Sequence, residues 1–158
     1  MNHPESTARP AGMMLLDPAK QSMLLSALYI AQEQKGYLTP EAIERVARRL
    51  SLTTGEVYST ASFYTLFRTE PVGRYVIQVC EGLSCYLADG AETVADYISA
   101  KLDIRAGETS RDGRFSLEKV QCLASCGTAP AMRVNDQLYE NLTPAAIDAI
   151  LERLMGEI

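Results

Sequence analysis

The sequence predicts an α+β fold in which a helical unit is followed by a small mixed sheet with helices packed against it. Apolar residues recur at helical spacing in the first part of the chain, and the period changes after the turn-rich stretch RTEPVGR. Beyond it, short β-branched runs and helical stripes follow in the order β-α-β-β-β-α. We therefore expect a flexible leader over residues 1–16, a helical unit over 17–70 and a sheet-containing domain over 71–158.

Start and stop signals delimit the first two helices. Asp17 has the pattern of an N-cap before a proline at the first helical position, and Gly36 is typical of the stop. Thr39 followed by a second proline repeats the start signal. The apolar stripes that fill these helices are Leu24, Ala27, Leu28 and Ala31 in the first and Ile43, Val46, Ala47 and Leu50 in the second.

A capping box predicts a third helix. Thr53 is followed three residues later by Glu56, the pattern in which each side chain caps the other's backbone N–H. The aromatic cluster Phe63, Tyr64 and Phe67 follows, and we expect it to pack in the core or between units rather than to line a cofactor pocket. The helical unit is therefore predicted to end near Phe67.

The chain after the joint predicts the strands of one sheet. The run YVIQVC is β-branched, has strand length and ends at Cys80. The segment DGRFSLEKVQC predicts a turn and a second strand that leads to Cys122, and AMRVNDQLYE predicts a hairpin turning at Asn135-Asp136. Two helical stripes accompany them, Ala91, Val94, Ala95, Ile98 and Leu102, and, after a Thr143-Pro144 start, Ile147, Ile150, Leu151 and Leu154.

Composition and motifs exclude several functions. A formal charge of -5 and a pI near 4.9 argue against nucleic acid or an anionic membrane surface as the main partner. No apolar run approaches the ~20 residues of a membrane-spanning helix, so we expect a cytoplasmic protein without direct membrane insertion. The single histidine, His3, lies in the leader, and neither a G-x-G-x-x-G nor a Walker A pattern occurs. The chemistry therefore concentrates on the cysteines.

The four cysteines form two short-spaced pairs, Cys80-x4-Cys85 and Cys122-x3-Cys126, with 36 residues between them. Each pair follows a predicted strand, so adjacent strand ends would bring the four thiols together. Four thiolates, two for each iron, are the ligands of a 2Fe-2S cluster. Structural zinc is an alternative, as are a thiol redox site, disulfides or unligated thiols, although the thioredoxin-type C-x-x-C is absent. The spacing favours the cluster and leaves these alternatives open.

Several separate motifs resemble one family. They are GYLTPEAIERVARRL, EVYSTASFYTLF, GRYVIQVCEGLSC, VQCLASCGTAPAMRVND and the LTP before the last helix. Together, over about residues 20–155, they resemble the small 2Fe-2S subunit of bacterial NADH:quinone oxidoreductase, respiratory complex I. The resemblance implies that a thioredoxin-like ferredoxin domain follows the helical unit.

The resemblance also implies a site, a cofactor and a partner. Cys80 and Cys85 would bind one iron, and Cys122 and Cys126 the other, of a single 2Fe-2S cluster. FMN and NADH would be bound by a larger partner subunit, so this chain would transfer electrons without being catalytic alone. The complex would attach it peripherally to the cytoplasmic membrane. Similar subunits serve NAD-linked hydrogenases and formate dehydrogenases, and a zinc-stabilised interaction module is the alternative of another class.

One departure from the family pattern lies after the second cysteine. The family has C-x-L-x-G-A-E, whereas this chain has CYLADGAE, with one extra residue before Gly90. The extra residue affects where the helix beyond Cys85 begins and leaves the four cysteines unchanged.

Overall fold

The computed structural model describes residues 18–88 and 90–157. The chain divides into two compact units between Glu70 and Pro71. The predicted leader, residues 1–16, and the predicted N-cap Asp17 lie outside the described residues. Within the described ranges, no helix has both the length and the apolar character needed to cross a membrane.

The helices of the first unit are α1 (Pro18–Glu33), α2 (Pro40–Leu50) and α3 (Thr54–Phe63). The predicted starts of α2 and α3 are confirmed. Thr39 Oγ1 accepts a hydrogen bond from the Ala42 N–H at 3.2 Å, and Thr53 and Glu56 form the reciprocal capping box. Each threonine satisfies a backbone N–H that the first turn of its helix leaves without a partner.

All three helices contribute to one apolar core. Its buried members are Leu24, Leu28, Ala31, Leu38, Ala42, Ile43, Val46, Ala47, Leu50, Val57, Ala61 and Phe67. Of the aromatic cluster, Phe67 is buried in this core, as predicted, whereas Phe63 is not part of it. Phe63 is the last residue of α3 and lies off the buried stripe formed by Val57 and Ala61.

The second unit contains four strands and three helices, β1 (Tyr75–Cys80), α4 (Leu83–Leu87), α5 (Ala91–Leu102), β2 (Phe115–Val120), β3 (Met132–Val134), β4 (Gln137–Tyr139) and α6 (Pro144–Gly156). The strand order is β2-β1-β3-β4, with β1 and β2 parallel and the other neighbours antiparallel. The small mixed sheet was predicted. The short helix α4 was not, because five residues are too few to show a helical stripe.

The sheet packs against α5 and α6 through one of its faces. Tyr75, Ile77 and Val79 alternate along β1 and join apolar residues of both helices in the core. The intervening residues of β1 are also buried, as expected of a central strand. The Tyr97 hydroxyl, on α5, donates to the Asp148 carboxylate, on α6, at 2.9 Å.

The register of the two parallel strands determines where their following loops lie. Cys80, the last residue of β1, is opposite Val120, the last residue of β2. Because parallel strands end at the same edge of a sheet, the segments that follow β1 and β2 begin side by side. Both segments contain cysteines of the predicted site.

Candidate metal centre

The first cysteine pair is buried. Cys80 ends β1 and is 3% exposed, and Cys85 lies within α4 and is 2% exposed. The Gly90 N–H donates to the Cys85 carbonyl oxygen at 2.9 Å, which joins the end of α4 to the start of α5. The helix beyond the CYLAD part of this motif, α5, begins at Ala91.

The second pair is exposed to solvent. Cys122 lies two residues beyond the end of β2, and Cys126 begins a single 3₁₀ turn that ends at Thr128. Between them Ala124 has a φ of 60°, a left-handed conformation that is uncommon for a residue with a Cβ. The structure thus places one thiol pair inside the second unit and the other at its surface.

Backbone N–H groups point at the sulfurs. Gly82 donates to Cys80 Sγ at 3.4 Å, and Ala124 donates to Cys122 Sγ at 3.3 Å. Gly82 has no side chain to hinder the approach of its N–H to the sulfur. The Ala124 N–H reaches its sulfur because Ala124 has a positive φ. The Thr128 N–H, near Cys126, instead donates to the Ser125 carbonyl oxygen.

The Cys80 thiol has a pKa below its ordinary value. Burial raises the pKa, but the N–H groups of Leu123 and Gly82 and the thiols of Cys85 and Cys122 together lower it by more, through hydrogen bonds to the sulfur. Cys80 is therefore disposed to become a thiolate, the form that binds metal. Its sulfur is also the point where the two cysteine segments meet, because it contacts a thiol from each.

The Cys85 thiol has a pKa above its ordinary value. Burial is the largest cause, and it outweighs the hydrogen bond from the Ala131 N–H, which lowers the pKa. Hydrogen bonding to Cys80 and the negative charges of Cys80 and Cys126 raise it further. Four thiolates at this place would repel one another, and bound metal cations relieve that kind of repulsion.

Gly82 leaves room between the two segments. A Cβ at this position would lie 3.3 Å from Cys80 Sγ, 3.3 Å from the Gln121 carbonyl oxygen and 3.5 Å from Cys122 Sγ. The backbone of Gly82, with φ -57° and ψ 154°, is open to other residues. Glycine is therefore favoured at this position by the limited space beside the sulfurs and not by the backbone conformation.

Charged side chains lie beside each pair. Glu81 follows the first cysteine and forms an ion pair with Lys119, with 3.4 Å between Glu81 Oε1 and Lys119 Nζ. On the other side, the Glu140 carboxylate accepts hydrogen bonds from the hydroxyls of Ser125 and Thr128. Sequence reasoning missed Glu140, since no motif links it to the cysteine segment that it contacts.

The donor set fits a cluster with two irons. Four thiols are supplied as two pairs by segments that begin at neighbouring strand ends, and the Cys80 thiol hydrogen-bonds with those of Cys85 and Cys122. Four cysteines are the ligand type and number of a 2Fe-2S cluster. Across residues 18–88 and 90–157, no group of three or more His, Cys, Asp or Glu side chains could hold a metal ion in the arrangement that the structure has.

Comparison with known proteins places the chain among iron–sulfur proteins. Residues 13–155 match the family described as thioredoxin-like 2Fe-2S ferredoxin. An NADH-quinone oxidoreductase subunit from Rhizobium meliloti (strain 1021) is 44% identical over 135 residues, which are 85% of this chain and 80% of that protein. NADH-quinone oxidoreductase subunit 2 from Thermus thermophilus is 43% identical over 136 residues, 85% of this chain and 75% of that protein.

The fold is also found in a solved hydrogenase. The crystal structure of an NAD+-reducing NiFe-hydrogenase in the H2-reduced state superposes with a TM-score of 0.75 at 28% identity and covers 84% of this chain. The chain spans only 23% of that hydrogenase chain. The predicted thioredoxin-like fold is confirmed.

Proposed function

The chain belongs to the thioredoxin-like 2Fe-2S ferredoxin family, and we propose that Cys80, Cys85, Cys122 and Cys126 hold its cluster in an electron-transfer subunit of NADH:quinone oxidoreductase. The observation that supports this most directly is the position of the two cysteine pairs at the adjacent ends of β1 and β2, where Cys80 contacts Cys85 and Cys122. The likeness to bacterial NADH-quinone oxidoreductase subunits, at 36–44% identity, supports the same assignment.

Each cysteine pair has its own part in this function. The buried pair, Cys80 and Cys85, anchors the cluster to β1 and α4. The exposed pair, Cys122 and Cys126, faces the solvent side, where a redox partner can approach. A 2Fe-2S cluster bound by these thiolates supplies one-electron transfer and no hydride chemistry. The protein's own share is to supply the thiolates, direct N–H groups at their sulfurs and exclude water from the buried pair.

We propose that the partner is the flavin- and NADH-binding subunit of the same complex. Its docking surface would include α4, whose Leu83, Tyr86 and Leu87 side chains are 74%, 59% and 73% exposed beside Cys85. Exposed apolar side chains clustered on one short helix are typical of a protein interface. FMN and NADH would be bound by that partner only, and the complex would hold this chain on the cytoplasmic side of the membrane.

An equivalent subunit of an NAD-linked hydrogenase is a second candidate. The superposition on the NAD+-reducing NiFe-hydrogenase supports it, whereas the higher sequence identity is to the quinone-linked enzymes. The two candidates share the cluster and the flavin-bearing partner and differ in what that partner exchanges electrons with.

Steady-state turnover tests the electron-transfer role. NADH and an artificial acceptor are mixed with the purified, cluster-replete chain, with and without the flavin-bearing partner. Turnover is expected only when the partner is present, because this chain has no dinucleotide-binding fingerprint. Steady oxidation of NADH by the flavin-free chain alone would overturn the proposal.

A further inference from the structure

The Glu140 carboxylate joins two hydroxyls that flank Cys126. Thr128 Oγ1 donates to Glu140 Oε1 at 2.5 Å, and the Ser125 hydroxyl donates to the same oxygen. The two hydroxyl oxygens are themselves 2.7 Å apart. One carboxylate from the segment after β4 therefore restrains the residue before Cys126 and the second residue after it.

Backbone hydrogen bonds extend the same connection. The Asn141 N–H donates to the Thr128 carbonyl oxygen at 2.8 Å, and the Leu142 N–H donates to the Pro130 carbonyl oxygen at 3.1 Å. Residues 140–142 thus run alongside residues 128–130. Among the described residues, the backbone hydrogen bonds between these two runs end at Thr128, and the Glu140 side chain extends the connection to Ser125, on the other side of Cys126.

The Cys126 segment has little packing of its own. Cys126 and Gly127 are exposed, and a Cβ built on Gly127 would meet nothing within 4 Å. The 3₁₀ turn has no side-chain cap hydrogen bond. Hydrogen bonds therefore contribute more than apolar burial to where this thiol lies.

We propose that Glu140 is a positioning residue that holds Cys126 in place as a cluster ligand through the hydroxyls of Ser125 and Thr128. The inference rests on the proposed 2Fe-2S site and deepens it. Hydrogen bonds from hydroxyls to a carboxylate are stronger than those between neutral groups, so an ionised Glu140 restrains the segment better than an amide would. The hydrogen bonds from Ser125 and Thr128 also hold the pKa of Glu140 below its ordinary value, in keeping with an ionised carboxylate at neutral pH.

Iron release from the loaded chain tests the proposal. Wild type, Glu140→Ala and Glu140→Gln are challenged with a ferrous chelator under reducing conditions, and the reduced-state EPR spectrum of each is recorded before the challenge. Because exposed charged hydrogen bonds have modest strength, we expect Glu140→Ala to release iron about three- to tenfold faster and to show broadened or shifted EPR features. Glu140→Gln is expected to lie between Glu140→Ala and wild type, since its amide oxygen still accepts.

Asp136→Asn is the matched control. Asp136 lies at the turn of the same hairpin, next to Asn135, whose side chain accepts from the Val76 N–H near the start of β1. The substitution removes the same charge at the opposite end of that strand from Cys80. Its release rate and EPR spectrum are expected to equal those of wild type.

A double-mutant cycle separates positioning from a general loss of stability. If Glu140 acts through the Ser125 hydroxyl, Ser125→Ala should accelerate iron release, and adding Ser125→Ala to Glu140→Ala should change the rate by less than the product of the two single effects. Ser125→Ala also tests the proposal should Glu140→Ala fail to fold.

The outcomes distinguish this inference from the proposed function. A wild-type chain that binds no iron would overturn the proposed function and this inference with it. A loaded wild type whose release rate and EPR spectrum are unchanged in Glu140→Ala, or whose Ser125 and Glu140 effects multiply independently, would overturn the inference alone.

Discussion

At the scale of single residues, the four cysteines differ in exposure because of where each lies on the chain. Cys80 ends a strand in the middle of the sheet and Cys85 is turned inward by α4, so both are buried. Cys122 and Cys126 lie in a segment beyond β2, an edge strand, and are exposed. The exposed pair therefore depends on hydrogen bonds for its position, while the buried pair depends on packing.

Replacing Gly82 by Ala should weaken cluster binding. The new methyl group would lie 3.3 Å from both Cys80 Sγ and the Gln121 carbonyl oxygen, closer than an ordinary contact, so these neighbours would have to shift by a few tenths of an ångström. Crowding of this kind costs about 1 to 3 kcal/mol. The measurement is the midpoint of denaturant-induced bleaching of the visible cluster absorbance.

Gly127→Ala is the control for Gly82→Ala, because it adds a methyl group to the other cysteine segment where nothing lies within 4 Å. Equal bleaching midpoints for the two alanine variants would contradict the role given to Gly82.

Neutralising Glu81 should raise the reduction potential of the cluster. Adding an electron to an anionic cluster is less favourable beside a carboxylate, so Glu81→Gln removes an opposing charge. The ion pair with Lys119 moderates the effect, and Lys119→Gln should shift the potential in the opposite direction. A redox titration followed by EPR measures both, and an unchanged or lower potential in Glu81→Gln would show that this carboxylate does not act on the cluster.

The sequence predicted which segments come together better than what holds them. The two cysteine segments follow β1 and β2, which are parallel and end at one edge of the sheet. The contact between Glu140 and Ser125 could not be predicted, since 15 residues separate them and Glu140 lies outside the motifs of the sequence. The positive φ of Ala124 could not be predicted either, because alanine does not favour that conformation.

At the scale of elements, the joint between α4 and α5 brings the two cysteine segments close. A Cβ on Gly90 would lie 2.2 Å and 2.5 Å from ring carbons of Pro130 and 3.0 Å from the Cys85 carbonyl oxygen. The N-cap of α5 and the end of the second cysteine segment are therefore in direct contact. Only glycine allows this approach without moving one of them.

Gly90→Ala should destabilise the protein. Overlap with a rigid proline ring costs about 3 kcal/mol, which corresponds to a fall in Tm of roughly 6 to 12 °C in a chain of this size. Gly55→Ala is the control, because its Cβ would meet nothing within 4 Å in α3 and alanine favours the helix by about 0.5 to 1 kcal/mol. Thermal unfolding followed by circular dichroism measures both, and a Gly90→Ala Tm equal to or above that of wild type would contradict the contact.

The connection between α5 and α6 should depend on pH. Hydrogen bonds from Lys101 and then Tyr97 hold the pKa of Asp148 below its ordinary value. A carboxyl with a lowered folded-state pKa stabilises the fold above its unfolded pKa, about 3.9, and this contribution is lost as the pH falls through the folded-state value. Asp148→Asn should therefore lower stability at pH 6 and approach wild type at pH 3.

Urea unfolding at the two pH values measures the Asp148 effect, with Asp96→Asn on the exposed side of α5 as the control. A stability difference between Asp148→Asn and wild type that persists unchanged to pH 3 would contradict the assignment of that difference to the carboxylate charge.

The starts of helices were the easiest features to predict, because specific capping residues and prolines mark them. Thr39 and Thr143 each precede a proline, and both side chains accept the predicted capping hydrogen bond. The α4 helix lacked such a signal, since Gly82 caps it without a side chain. No stop signal in the sequence marks the end of α3, whose C-cap residue Tyr64 is already extended.

At the scale of the whole molecule, surface chemistry agrees with a protein partner. The chain has a net charge of -5, which is unfavourable for binding nucleic acid. The exposed Leu83 and Leu87 of α4 lie on either side of Cys85 in sequence, so an apolar contact area adjoins the buried thiol pair. Docking there would bring a partner's redox group near the cysteines, which short-range electron transfer requires.

The metal and sulfide content of the natively purified chain tests the central claim most directly. If the four cysteines hold a 2Fe-2S cluster, the protein should be reddish-brown and contain about two irons and two acid-labile sulfides per chain, with an EPR signal that appears on reduction. Cys122→Ala should lose or destabilise that cluster, because one iron would keep a single protein thiolate. A colourless, folded preparation with stoichiometric zinc, or a Cys122→Ala variant with full iron and an unchanged EPR signal, would contradict the account.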